Sequence, residues 1–431
     1  MLLWIYRLLF PLLLVVSAPY YLLRMWRRRG YGENFANRFG CGTVLPAPKP
    51  GVRRIWLQAV SVGEMLAVGP VLEALAAGGR VELYLTTTTS TGYRLAKERY
   101  GAKVTAVEYF PLDWWPLTAK AWRRIRPDLV ILAEGERWPE HLAQARRRGV
   151  PVICINARLS DRSYRRMRRM RRWVAPLWSG VTRLLAVSSF DADRFRELGF
   201  PPARLATTGN IKLDLMLTPL SDDERRQLRT ELGLGTTDLI VLGSSTWPGE
   251  EDVLLDAWRA WREAGLACRL LLVPRHAERR GEIEARLQKA GVRYHLRSRG
   301  VAPGEVDVTV GDTTGELRRL TQVADVVVVG KSLPPHREGQ TPVEAAALGK
   351  ALVLGPELSN FRAIVAELRE AGGACQVTGA DEVAPVVLRL LRNPTERAAL
   401  GAAAAAWHQR NQGAVARTVA VIYTELNQLQ N

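Results

Sequence analysis

The chain has 431 residues, too many for one ordinary hydrophobic core, so two domains are expected. Its 47% apolar and 24% charged residues exclude a disordered or fibrous protein. Lysine and arginine number 61 against 43 acids, a formal charge of +18, which points to an anionic partner: nucleic acid, acidic lipid or a phosphorylated substrate.

Residues 1–29 read as a membrane anchor. From Leu2 to Leu23 the only charged residue is Arg7, and Arg24, Arg27, Arg28 and Arg29 follow at once. About 20 apolar residues span a bilayer as a helix. Pro11 and Pro19 interrupt this segment, and Ser17-Ala18-Pro19 is a poor signal-cleavage site. The basic flank predicts an uncleaved anchor, single-pass or monotopic, with the rest of the chain in the cytoplasm. Tyr20, Tyr21 and Trp26 suit an interfacial belt. The scattered Cys41, Cys154, Cys268 and Cys375 form no C-x-x-C pair, which fits a reducing compartment.

Residues 30–214 carry short apolar runs at 55–60, 81–85, 129–133, 150–155 and 184–187, each followed by polar residues and a helix-like segment. That alternation predicts a parallel sheet covered on both faces. The first run ends in Ser61-Val62-Gly63-Glu64, a tight turn that puts Glu64 at the start of a helix, at the sheet edge where ligands bind. Acids also favour helix N-termini through the dipole, so Glu64 has a structural explanation too. Thr88, Glu134, Glu136 and Arg158 follow later runs and converge on the same edge. A carboxylate there can take the proton from an attacking hydroxyl. Asp191-Ala192-Asp193 resembles a metal-binding pattern but follows Ser188-Ser189-Phe190, which predicts helix capping. Arg158, Arg162, Arg165, Arg166, Arg169 and Arg172 fall at helical spacing, a basic stripe suited to an acidic lipid surface. No nucleic-acid module accompanies it, so nucleic acid is the weaker reading.

The polar, proline-containing stretch 215–235 is expected to be a linker, and the pattern restarts in a second domain, 236–431, whose last helix is expected to pack back on the first domain. Apolar runs occur at 239–242, 270–273, 306–310, 326–329 and 351–354. Ser244, Pro274 and Arg275 stand at run ends, where an arginine suits a phosphate. The loop Gly311-Asp312-Thr313-Thr314-Gly315-Glu316 is expected to present backbone amides to an anion. Glu344 opens an alanine-rich helix and could accept from a pair of ribose hydroxyls. No G-x-G-x-x-G or Walker pattern is present, which excludes a typical dehydrogenase or P-loop NTPase. The five histidines have no ligand spacing, so no metal is expected.

The ordered motifs make the chain similar to the bacterial 3-deoxy-D-manno-octulosonic acid (Kdo) transferases of lipopolysaccharide assembly. They are Ala59-Val60-Ser61-Val62-Gly63-Glu64, Thr87-Thr88-Thr89-Ser90-Thr91-Gly92, Glu134-Gly135-Glu136-Arg137-Trp138-Pro139, Asn156-Ala157-Arg158-Leu159-Ser160 and Gly209-Asn210-Ile211-Lys212. Further on come Val273-Pro274-Arg275-His276, Gly311 to Glu316 and Pro342-Val343-Glu344. The resemblance implies two facing Rossmann-like domains of the GT-B type that move Kdo from CMP-Kdo, with inversion and without a metal, onto a lipid A precursor. It implies Glu64 as general base, Ser244, Pro274, Arg275, the 311–316 loop and Glu344 on the nucleotide, and Ser61, Gly63, Thr88, Glu134, Glu136, Arg158 and Lys212 near the donor sugar or acceptor. It also implies a location on the cytoplasmic face of the bacterial inner membrane. The chain departs from the family's Gly-Gly-Ser-Leu and Gly-Gly-His-Asn-Pro segments, carrying Gly330-Lys331-Ser332-Leu333 and Glu338-Gly339-Gln340-Thr341-Pro342 instead. A related transferase with another nucleotide sugar is therefore the alternative, and a non-catalytic binder of anionic membranes or nucleic acid a more distant one.

Overall fold

A computed structural model describes residues 2–28, 34–47, 49–214 and 217–429. Arg29, predicted in the basic flank, lies outside them, as do the side chains of Arg24, Trp26, Arg27 and Arg28. The chain forms two compact units, residues 1–214 with 412–431, and residues 215–411.

The first unit holds strands β1 (Arg53–Gln58), β2 (Val81–Thr87), β3 (Ala106–Tyr109), β4 (Leu129–Ala133), β5 (Val152–Ala157), β6 (Arg183–Ala186) and β7 (Leu205–Thr207). They build one parallel sheet in the order β3-β2-β1-β4-β5-β6-β7. Alternate residues of each strand face opposite cores, as the period of two demands. Trp56, Tyr84, Val130 and Cys154 enter one core, while Ile55, Leu57, Leu83 and Ile131 enter the other. The helix Ala414–Gln428 returns to the second face with Ile422 and Leu426, and Asp214 secures its start by accepting from Gly413 N at 2.8 Å and Val415 N at 2.6 Å. Strand order reverses between β1 and β4, so the crevice at their carboxyl ends is the switch point of a doubly wound sheet.

The second unit repeats the plan with β8 (Leu239–Thr246), β9 (Cys268–Pro274), β10 (Tyr294–Leu296), β11 (Val308–Val310), β12 (Val326–Val329), β13 (Ala351–Leu354) and β14 (Ala374–Gln376). Its order is β10-β11-β9-β8-β12-β13-β14, with the reversal between β8 and β12. The stretch expected to be a linker contains a helix, Asp222–Glu231, started by a full capping box between Ser221 and Glu224. Leu228 buries on the second unit, and Leu220 N donates to Gln322 Oε1 at 2.7 Å, so this segment is part of that unit.

The helix Leu2–Arg28 is long and apolar enough in residues Leu2–Leu23 to cross a membrane. Its first turns rest on the first unit. Arg7 is buried and makes a two-pronged ion pair with the fully buried Glu140, at 2.8 and 2.9 Å. Tyr6 donates to Asp113 at 2.8 Å. Beyond Arg7, Leu8, Leu12, Leu13, Val15 and Val16 stand exposed.

The predicted basic stripe needs correction. A helix covers Asp161–Arg169 but breaks at Met170 before a single turn, Arg171–Val174, so the arginines do not line one helix. Arg158 precedes both turns and points elsewhere, to Glu134. Met167 is core, whereas Met170 and Trp173 are exposed beside the arginines.

Candidate functional site

The switch point of the first sheet gathers three carboxylates, because the loops after β1 and β4 flank it. Ser61 caps the helix Val62–Ala77 by accepting from Glu64 N, and Glu64 turns back so that its Oε2 accepts from Val60 N at 2.8 Å. Glu64 thus does perform the capping that its position allows, while staying half-buried at the sheet edge. Thr88 steadies the same turn by donating to Val60 O at 3.1 Å. Burial raises the Glu64 carboxyl above its ordinary range, and the charge of Glu134 pushes the same way; the Val60 amide and Lys212 oppose them.

Glu134 leaves β4 in the left-handed region, φ 51°, followed by Gly135 at φ 78°. That backward bend turns its side chain to two cations, Arg158 at 2.9 Å and Lys212 at 2.5 Å. Burial would raise its carboxyl, but the two cations win and hold it below the usual range. Glu136 goes the other way. Burial, then the nearby charge of Glu64, lift it to about 8, against the Trp138 indole, which donates to it at 3.0 Å. Three acids at one crevice are therefore split: Glu134 ionised and paired, Glu136 protonated near neutrality, Glu64 between them. Environments that push paired acids apart are how proteins assign acid and base roles.

Lys212 arrives from the turn Ile211–Leu213, whose start is pinned by Asn156 Oδ1 accepting from Ile211 N at 3.1 Å. Asn156 itself sits at φ 52°. The crevice so contains Ser61, Glu64, Glu134, Glu136, Arg158 and Lys212. Gly63 faces open space, with nothing nearer than the Ser61 hydroxyl, 4.0 Å from where a Cβ would stand. Ser188 caps the helix Ser189–Glu197 by accepting from Asp191 N at 3.1 Å, and Asp191 Oδ2 accepts from the Ser188 hydroxyl at 2.9 Å.

In the second unit Ser244 is buried at the end of β8, and Pro274 ends β9, while Arg275 is exposed and makes no ion pair among the described residues. Arg275 N donates to Thr246 O at 3.1 Å, joining the two strand ends. A Cβ at Gly311 would stand 2.7 Å from Leu320 Cδ1, so a larger residue there would displace the end of that side chain. The helix after its loop, Leu317–Leu320, is one turn, too short for much of a dipole. Thr314 and Gly315 are exposed at the loop tip, and Glu316 accepts from Thr313 and faces Arg297 at 3.4 Å. Glu344 lies 3.8 Å from Arg318 through one oxygen, and its Oε2 is buried without a hydrogen-bond partner. An unsatisfied buried acceptor is costly and asks for a donor such as a ligand hydroxyl.

Residues 33–215 match the profile of a family described as 3-deoxy-D-manno-octulosonic-acid transferase (kdotransferase). A Bordetella pertussis 3-deoxy-D-manno-octulosonic acid transferase is 34% identical over 93% of this chain and 95% of its own length. One from Haemophilus influenzae is 32% identical over 92% of this chain and 93% of its own. The chain belongs to this family. Among solved structures, Anabaena HepE in complex with UDP superposes with a TM-score of 0.59 at 16% identity, covering 87% of this chain and 100% of that one. A Rickettsia africae glycosyltransferase gives 0.58 at 11% identity. Both share the fold, which is the GT-B glycosyltransferase type.

The transferase also uses residues that the motifs contained without announcing their roles. Trp138 contacts Glu136, and Asn156 fixes the Lys212 turn. Glu250 is buried and accepts from the backbones of Trp247, Lys331, Ser332 and Leu333 at 2.7–3.1 Å, tying together the two loops at the second switch point. Its signal was visible as an acid at a helix start after Gly249, but nothing local revealed the distant loop that it holds.

Proposed function

We propose that the enzyme transfers Kdo from CMP-Kdo, with inversion and without a metal, to a glucosamine hydroxyl of a lipid A precursor. The membership of the family supports the sugar. The observation that carries the mechanism is the split among Glu64, Glu134 and Glu136. Glu136 keeps its proton to about 8, which spares Glu64 a second negative neighbour and favours the ionised form that a base requires. Glu64 takes the proton of the acceptor hydroxyl as its oxygen attacks the anomeric carbon, and the bond to CMP breaks on the opposite face. Glu134 is a positioning residue: it holds Arg158 and Lys212 where they meet the anionic sugar or acceptor phosphate. Arg275 and Glu344 serve the nucleotide, the first toward phosphate and the second toward ribose hydroxyls.

The location proposed is the cytoplasmic face of the bacterial inner membrane. The exposed apolar run after Arg7 supports insertion, but from Leu8 to Leu23 a helix extends only about 24 Å, short of the roughly 30 Å hydrocarbon core. A monotopic anchor follows, with Met170, Trp173 and the exposed arginines of residues 162–172 as a second contact with acidic lipid.

The test is transfer of radiolabelled Kdo from CMP-Kdo to a lipid A precursor, with mass spectrometry of the product. Glu64→Gln is expected to lower kcat by on the order of 10²–10⁴ with unchanged thermal unfolding. Wild-type activity that survives the substitution intact would remove Glu64 from the reaction.

A further inference from the structure

The second switch point contains a charge in an unusual setting. Lys331 follows β12 at φ 56°, in the left-handed region that side-chain-bearing residues rarely adopt. Its neighbour Gly330 is forced by close packing, since a Cβ there would stand 2.4 Å from Ser245 O. No such contact compels a lysine at 331, where a glycine would be unstrained. The conformation is held from beneath: Lys331 N donates to the buried Glu250 at 2.7 Å, the same carboxylate that accepts from Trp247 N at 2.9 Å. The side chain then turns over the loop after β8. Its Nζ lies 4.1 Å from the centre of the Trp247 ring and 3.7 Å from Glu338, a half-exposed partner that neutralises it only in part. Trp247 is braced edge-on by His276 and His336, at 5.4 and 5.6 Å, and its Nε1 is buried without a hydrogen-bond partner. An ammonium seated on a braced aromatic ring at a switch point is a fixed cation where such sheets bind ligands.

We propose that Lys331 is a donor-binding residue, its ammonium taking an anionic oxygen of the nucleotide sugar, with Trp247 as its seat. This rests on the CMP-Kdo reading above. That donor offers two sources of such an oxygen, the phosphate and the sugar carboxylate. A purely structural lysine, pinning the two loops together, makes a different prediction, and the experiment separates them.

Lys331→Met keeps the stem over Trp247 and removes the charge; Lys331→Gly also relieves the backbone. Steady-state kinetics with CMP-Kdo, equilibrium binding of CMP and thermal unfolding are measured for both variants and wild type. In both, KM for CMP-Kdo is expected to rise about tenfold with kcat within twofold, while the unfolding midpoint holds in Lys331→Met and holds or rises in Lys331→Gly. CMP binding weakened in parallel assigns the oxygen to the phosphate; CMP binding unchanged assigns it to the carboxylate. A KM within twofold of wild type, or a KM rise that tracks a lower unfolding midpoint, overturns the assignment. No turnover of CMP-Kdo by wild type would instead sink the parent reading and this one with it.

Discussion

Glu136 differs from the acids around it in holding a proton near neutrality, and this has two measurable effects. Its folded-state value, about 8, lies above the ordinary 4.5, so folding favours the protonated form. The associated stability is complete below about 4.5 and is lost as pH rises through about 8. Glu136→Gln cannot ionise, so the variant is expected to gain on wild type in thermal unfolding between pH 6 and pH 9. An advantage that stays constant across that range would show the carboxyl to be ionised throughout. In activity, an acidic limb from Glu64 and an alkaline limb near 8 from Glu136 are expected, and Glu136→Gln should erase only the alkaline one. Both limbs surviving in that variant would assign the alkaline one elsewhere. The identities of these residues were legible in the motifs. Their division of roles was not, because it depends on Arg158 and Lys212 reaching Glu134 from loops 24 and 78 residues away.

Among the elements, the long central strands were readable because β1, β4, β5, β8 and β9 are almost wholly buried and each carries an apolar run. The strands β3, β7, β10 and β14 were not, being three or four residues long with partly exposed patterns. The helix Asp222–Glu231 was hidden for a related reason: of its ten residues only Leu228 is buried, so it carries no apolar stripe. The loops at the second switch point depend on one carboxylate. Glu250→Gln keeps the shape but offers only one acceptor oxygen to four backbone donors, so a loss of about 2–4 kcal/mol is expected in chemical denaturation. Unchanged stability there would mean that the loops hold themselves. By contrast, Gly63→Ala meets open space within a helix and is expected to be neutral or slightly stabilising by the same measurement, by less than about 1 kcal/mol.

At the scale of the molecule, the sequence divides at a polar stretch, yet the first unit is closed by the last helix of the chain through Asp214. The same unit is closed at its other end by the N-terminal apolar helix. Arg7→Leu would make the apolar helix more uniform, which by hydropathy alone should improve membrane binding. It is expected instead to cost about 3–5 kcal/mol, because Glu140 is left fully buried without its ion-pair partner. Arg7→Leu with Glu140→Leu should recover most of it, and failure to recover would show that the pair is not the cause. Shortening the chain to begin after the apolar helix would remove Arg7 and Tyr6 together. Asp113, raised by burial to about 6, would lose the Tyr6 hydroxyl and Glu140 would lose its cation, at the start of the helix that follows the Glu134–Glu136 loop. The shortened protein is expected to disturb the loop that carries two of its three acids, and the full chain is the form in which to measure it.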